Sequence, residues 1–161
     1  MKLTTKGRYA VTAMLDLALH QDGGVVTVAD ISQRQQISVA YLEQLFGRLR
    51  RRGLVESVRG PGGGYRLADP TAQIPLTQIV EAVNESIHTT QCGGDPVQCC
   101  KGEGQQCLTH DLWEALGQQI AAFLGGITLA QLVAEQRRKE AQVAAPLRLA
   151  ARARPGEPLH G

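Results

Sequence analysis

The stretch SVAYLEQLFGRLRRRGLVESVRGPGGGYRL, residues 38–67, decides the fold. Its first half sets Leu42, Leu45, Phe46 and Leu49 at three- and four-residue steps, the period of an amphipathic helix. Ser38 stands where an N-cap hydroxyl belongs, and Gly53 where a left-handed residue closes a helix. After Gly53 the period drops to two. Residues 54–58, LVESV, alternate, RGPGGG cannot be helix, and YRL over residues 65–67 resumes an extended pattern, so the segment predicts a hairpin. Upstream, VVTVADISQRQQIS predicts a short helix capped by Thr27 and carrying Ala29, Ile31 and Ser32, followed by a tight polar turn around Gln35–Ile37. Two helices joined in this way over about 28–51, with a wing over about 54–67, make a winged helix-turn-helix.

Working outward, residues 7–19 (GRYAVTAMLDLAL) predict a first helix with Tyr9, Ala10, Ala13, Met14, Leu17 and Ala18 on one stripe, stopped by Asp22-Gly23-Gly24. PLTQIVEAVNE over residues 75–85 predicts another, with Leu76, Ile79, Val80 and Val83 inside, closing a DNA-binding domain of residues 1–85. Residues 86–106 are too polar and glycine-rich for a core of their own and read as a loop. From Cys107 to about Phe123 a longer helix is expected, with Leu108, Leu112, Leu116, Ile120 and Phe123 on one stripe and Trp113 widening it. A long apolar stripe left over by an already complete globular part predicts a partner helix, most simply a second copy. Thr128 can cap a last short helix, LAQLVAEQRRKE, so residues 107–140 read as a dimerisation helix and a short terminal helix. Residues 141–161 hold three prolines and no sustained period and read as a disordered tail. The expected class is mainly α with a small β wing.

The chain has 161 residues, 43% of them hydrophobic but only 4% aromatic, so aliphatic side chains must build the core. No apolar run approaches the roughly 18 residues of a membrane span, and the first residues are not followed by a signal-type apolar region. The expectation is a cytoplasmic protein with no membrane partner. The net charge of +2 conceals a split: residues 1–66 hold ten Lys/Arg against five Asp/Glu, an excess of +5, and the remainder carries −3. A basic N-terminal half suits a polyanion, with double-stranded DNA the obvious partner.

In a helix-turn-helix the second helix lies in the major groove, and residues near its start reach base edges. Those residues here are Ser38, Val39, Ala40, Tyr41, Glu43 and Gln44. Gln44 can pair bidentately with adenine and Glu43 can accept from cytosine N4. Tyr41 and Ser38 are placed for phosphate or sugar contacts, and Arg48, Arg50, Arg51 and Arg52 add positive charge, although arginines at a helix end also simply complement its dipole. Arg59 heads the turn Gly60-Pro61-Gly62, slim enough for a minor groove, where Arg is the favoured probe. The glycines lack the Lys-Ser/Thr of a nucleotide-binding loop.

All four cysteines fall in QCGGDPVQCCKGEGQQCLTH, residues 91–110, as Cys92, Cys99, Cys100 and Cys107, with His110 three positions beyond. Three thiolates and an imidazole suit soft metals. The paired Cys-x-x-Cys knuckles of structural zinc are absent, and widely spaced thiols better suit an iron–sulphur cluster, with zinc and thiol redox chemistry as alternatives. A thiol oxidoreductase or metallochaperone would also be expected to carry Cys-x-x-Cys beside a helix start. Nothing reads as a catalytic residue, and the chain reads as a regulator, not an enzyme.

KLTTKGRYAVTAMLDLAL, ISVAYLEQLFGRLRR, GLVESVRGPGGGYRL and CLTHDLW together resemble the iron–sulphur cluster assembly regulators, the IscR family, over about residues 1–135. The resemblance implies a homodimeric winged-helix regulator, mainly a repressor, binding one 2Fe–2S cluster per subunit and receiving it from the iron–sulphur assembly machinery. It implies that cluster occupancy selects the promoters bound, with repression of the cluster-assembly genes when loaded. Carried over by position, the ligands are Cys92, Cys99 (or Cys100), Cys107 and His110. The family has a single central cysteine and shorter gaps, whereas this chain has a pair. The base-contacting positions match Glu43, Gln44 and Arg59, and Glu43 is implied to discriminate against one class of site when the cluster is absent. A serine common in the family is Ala40 here.

Overall fold

The computed structural model describes residues 5–69, 72–83 and 108–152, with side chains as far as residue 143. Helix α1 is Thr5–His20, followed by a single 3-10 turn, Gln21–Gly23. Helices α2 (Val28–Gln35) and α3 (Val39–Arg51) form the helix-turn-helix, and strands β1 (Val55–Val58) and β2 (Gly64–Leu67) form the wing. Helices α4 (Leu76–Ala82), α5 (His110–Gly125) and α6 (Leu129–Arg152) complete the chain.

Local chemistry explains the boundaries. The Thr27 hydroxyl accepts from the Asp30 amide while the Asp30 carboxylate accepts from the Thr27 amide, a capping box that starts α2. Helix α2 ends at Gln36, which adopts the left-handed conformation (φ 56°) and makes the tight turn. Ser38 accepts from the Tyr41 amide to start α3, and Gly53 (φ 71°) reverses the chain after it. The strands pair antiparallel with Val55 opposite Leu67 and Glu56 opposite Arg66, and this last pair makes a salt bridge of 2.7 Å across the ladder.

The core joins the two halves of the chain. Met14 and Leu17 from α1, Ile31 from α2, Leu42, Leu45, Phe46 and Leu49 from α3, Ile79 and Val83 from the α4 region, and Leu129 from α6 are all fully or almost fully buried. The backbone around Ala72–Leu76 is knitted to the α5–α6 corner: Leu76 donates to Ile127, Leu129 to Ile74 and Ala130 to Ala72 at 2.9–3.0 Å. The start of α6 is therefore part of the winged-helix core and not a separate appendage.

Three expectations are corrected. The helix expected from Cys107 starts at His110, with Leu108 and Thr109 in a turn before it. The terminal helix does not end near residue 140. It continues through most of the stretch expected to be disordered, to Arg152, because Ala, Leu and Arg dominate residues 141–152 and are strong helix formers even with Pro146 among them. Residues 153–161 lie outside the described residues. Tyr9, expected on the buried stripe of α1, is 38% exposed.

Candidate nucleic-acid interface and metal centre

The recognition helix separates into two faces. Leu42, Leu45, Phe46 and Leu49 enter the core, while Ser38, Val39, Ala40, Glu43 and Gln44 are exposed together on the other side and Tyr41 is half-buried at the margin. Residues 40, 43, 44 and 47 follow helical steps along that outer face, so Glu43 and Gln44 can reach the same groove. Position 47 is glycine, and nothing lies within 4 Å of where its Cβ would be, so internal packing does not require a glycine there. The Ser38 oxygen is engaged by the Tyr41 amide at 3.3 Å, which leaves its O–H able to donate to a phosphate.

Sequence reading missed Tyr9. Its ring stands edge-on to that of Tyr41, with centroids 5.9 Å apart and planes at 83°, so α1 contributes an exposed aromatic beside the start of α3. Helical spacing put Tyr9 on the apolar stripe, and an amphipathic aromatic at the edge of such a stripe gives no sequence signal that distinguishes margin from core.

The wing tip is built by backbone geometry. Arg59, Gly60, Pro61 and Gly62 are all exposed; Gly60 and Gly62 hold φ of 102° and 74°, and Gly63 donates to Gly60 at 2.9 Å to close the turn. A single residue of the N-terminal segment, Val26, adds a third strand position by exchanging hydrogen bonds of 2.9 and 2.7 Å with Tyr65. Tyr65 in turn packs on Phe46 with ring centroids 4.7 Å apart, so the wing is seated on the recognition helix.

The arginines expected to supply charge to DNA take different places. Arg48 is half-buried and its guanidinium donates to the Val83 carbonyl at 2.9 Å, closing the end of α4. Arg50, Arg51 and Arg52 all lie exposed at the end of α3, and Arg50 reaches the Ser57 hydroxyl of β1 at 3.3 Å.

Of the expected metal ligands, Cys92, Cys99, Cys100 and Cys107 lie outside the described residues. His110 is described: it opens α5, is 7% exposed, and has Nε2 3.7 Å from a Glu114 carboxylate oxygen. Among the described residues, no three His, Cys, Asp or Glu side chains converge on a metal position. Helix α5 exposes Leu112, Trp113, Leu116 and Phe123, the last at 68%, and Leu108 in the turn before it is wholly exposed. Among the described residues no helix is long and apolar enough to cross a membrane.

An exposed recognition helix beside a glycine-turned wing on a shared aliphatic core defines a winged-helix transcriptional regulator. A family model described as "Rrf2: Iron-dependent Transcriptional regulator" matches residues 3–135, and the chain belongs to that family. A putative HTH-type transcriptional regulator of Haemophilus influenzae is 62% identical over 133 residues, which span 83% of this chain and 87% of that one. The HTH-type transcriptional regulator IscR of Serratia proteamaculans is 57% identical over 136 residues, 84% and 81% of the two chains. Among solved structures, T. potens IscR superimposes with a TM-score of 0.68 at 35% identity, covering 84% of this chain and 88% of that one. CymR, the global cysteine regulator of B. subtilis, gives 0.69 at 30%, covering 84% and 98%. The relatives are named as regulators, and the chain is a transcriptional regulator, not an enzyme.

Proposed function

We propose that this regulator is a cytoplasmic homodimer that controls promoters of iron–sulphur cluster assembly genes, mainly as a repressor, in response to a 2Fe–2S cluster held in each subunit. The observation that carries the reading is His110: an imidazole buried at the first position of α5, three residues beyond Cys107. The donor set of three thiols and one imidazole fits an iron–sulphur cluster. The positive end of the α5 dipole also suits an anionic, thiolate-ligated group. Identity of 57% to regulators named IscR supports the same reading.

In this reading Cys92, Cys99 or Cys100, Cys107 and His110 hold the cluster, which the assembly machinery delivers. When bound, the cluster supplies a signal of iron and sulphide supply through its occupancy and a one-electron couple through its irons. The chain does the remainder. Three thiolates carry their charge into the site, and the imidazole leaves it one unit less negative than a fourth thiolate would, which raises the potential and weakens the hold. The exposed apolar stripe of α5 is covered by the same stripe of a second copy. Gln44 and Glu43 read base edges, Ser38 and Tyr41 set the helix against the backbone, Arg59 with Gly60, Pro61 and Gly62 probes the minor groove, and Arg51 and Arg52 add charge.

Anaerobic purification followed by a visible spectrum and iron and acid-labile sulphide analysis tests the cofactor. Iron and sulphide in equal amounts are expected, falling in His110→Ala. Zinc without sulphide would replace the reading by a zinc-stabilised regulator. Single Cys99→Ala and Cys100→Ala variants identify the central ligand as the one whose loss empties the site. With about 3–4 phosphate contacts per subunit, the log–log salt slope of DNA binding should be roughly −5 to −7, and a slope near zero would remove the electrostatic argument.

A further inference from the structure

Asp16 is a carboxylate in the middle of α1 whose side chain has no exposed surface. The last turn of α2 closes on it. Arg34 donates through Nε to both carboxylate oxygens at 3.1 and 3.0 Å and through Nη2 to Oδ1 at 2.6 Å, and Gln35 Nε2 donates to Oδ2 at 2.7 Å. This bonding also raises the pKa of Arg34 above its ordinary value.

We propose that Asp16 is a positioning residue for DNA reading: it orients the recognition helix by fixing the residues that enter the turn before it. Burial of a carboxylate and its partner rarely stabilises more than apolar packing of the same volume. What the pair adds is direction, because a planar fork on a carboxylate accepts one relative orientation of α1 and α2. The next residue in the chain is Gln36, held left-handed at φ 56° without being glycine or asparagine, a conformation that persists only when its surroundings over-determine it. Its own amide bonds the Ser32 carbonyl at 2.9 Å and its side chain bonds the Gln33 carbonyl at 2.8 Å. Two residues further on stands Ser38, the cap of α3. The orientation set at Asp16 thus passes through Gln36 and Ser38, both held by hydrogen bonds, to the helix that carries Glu43 and Gln44.

The same helix system anchors the wing. Gln21, just after α1, accepts from the Leu67 amide of β2 at 3.1 Å through its side-chain oxygen. Asp16 on α1 and Gln21 in the turn directly after it therefore tie the two DNA-reading elements to one segment, on which the spacing between helix α3 and the wing depends.

The inference rests on the DNA-binding reading, and the test separates the two. A duplex selected by the wild-type protein from a random pool is compared with a scrambled duplex of equal composition. The double variant Asp16→Leu with Arg34→Met removes both charges without orphaning either. Its melting temperature is expected to stay close to that of wild type while discrimination between the duplexes falls about tenfold, the scale of one displaced base contact. Arg34→Lys keeps the charge pair but loses the fork, and should lose part of the discrimination even if the double variant fails to fold. Undiminished discrimination in the folded double variant, or in Arg34→Lys where the double variant is unfolded, overturns the proposal. A wild-type protein that selects no duplex overturns the DNA-binding reading instead.

Discussion

The wing offers the sharpest energetic test of the fold, through Gly64→Ala. A Cβ at this position would stand 2.5 Å from the Val26 carbonyl oxygen and 2.8 Å from its carbon, with the Thr27 nitrogen at 3.2 Å. These are backbone atoms, so no rotamer change relieves the clash. Strand β2 must instead withdraw from Val26. Withdrawal breaks the two hydrogen bonds exchanged between Val26 and Tyr65, each worth about 1 kcal/mol net, and loosens the Tyr65–Phe46 ring contact, worth about 0.5–1.5 kcal/mol. The stiffer unfolded chain of an alanine variant gives back about 0.4–1 kcal/mol. The net loss is about 2 kcal/mol, or roughly 4–8 °C in melting temperature for a chain of this size. Thermal unfolding followed by circular dichroism at one fixed protein concentration reads the change, because an assembly would make the midpoint concentration-dependent. Hydrogen exchange at the Val26 and Tyr65 amides reads its cause. A variant that melts within 1 °C of wild type and keeps both amides protected would refute the reasoning, since the bridge would then have absorbed the methyl group without opening.

Three further outcomes are expected. Glu43→Ala should broaden the set of duplexes bound, because an exposed acid facing a polyanion is unfavourable wherever no base donor meets it; unchanged competition between matched and mismatched duplexes would make Glu43 merely a solvated residue. Gly47→Ala should raise stability by about 0.5–1 kcal/mol, because a half-buried mid-helix glycine gains helix propensity and the new methyl group meets nothing; a lower melting temperature would contradict the open space at that position. Thr27→Val should lower stability at neutral pH by removing half of the capping box. The hydrogen bond from the Thr27 hydroxyl, then that from its amide, holds the Asp30 carboxyl below its ordinary value. A depressed folded value means that the stabilisation is present above the unfolded carboxylate range and is lost as pH falls through the folded value. The gap in melting temperature between wild type and variant should therefore narrow on acidification, and a gap independent of pH would show that the carboxylate plays no part.

What the sequence made legible was whatever repeats at short range. Leu42, Leu45, Phe46 and Leu49 announce their burial by spacing alone, and all four are buried. Thr27, Ser38 and Gly53 punctuate the helices because a hydroxyl oxygen or a left-handed residue is needed at one position relative to each helix end, and each does that work in the structure. Illegible features join residues far apart in the chain. Val26 is a strand position one residue long, with no alternation to betray it, and its partner Tyr65 lies beyond two helices. Asp16 interrupts an apolar stripe, and its meaning depends on Arg34 and Gln35, which spacing does not bring to mind. Three prolines and a lost period after residue 140 suggest a tail without structure, whereas the alanines and leucines around Pro146 carry α6 to Arg152.

The functional surface follows the same division. The exposed face of α3 and the wing tip could be read directly, because a helix that buries one stripe must expose the opposite one, and a turn of glycines must project. The assignment of the arginines could not, because a guanidinium on a long stem goes wherever an unpaired carbonyl or hydroxyl lies within reach. Arg48 illustrates the point. Sequence counted it with the positive charges available to DNA, but the last turn of α4 leaves carbonyls without helical partners, and Arg48 supplies a donor to that of Val83. Charge on a recognition helix therefore measures what is available to a phosphate only after the helix ends packed beside it have taken their share. Here Arg48 is the one so taken, while Arg50, Arg51 and Arg52 at the end of α3 and Arg59 at the wing tip stay exposed to solvent.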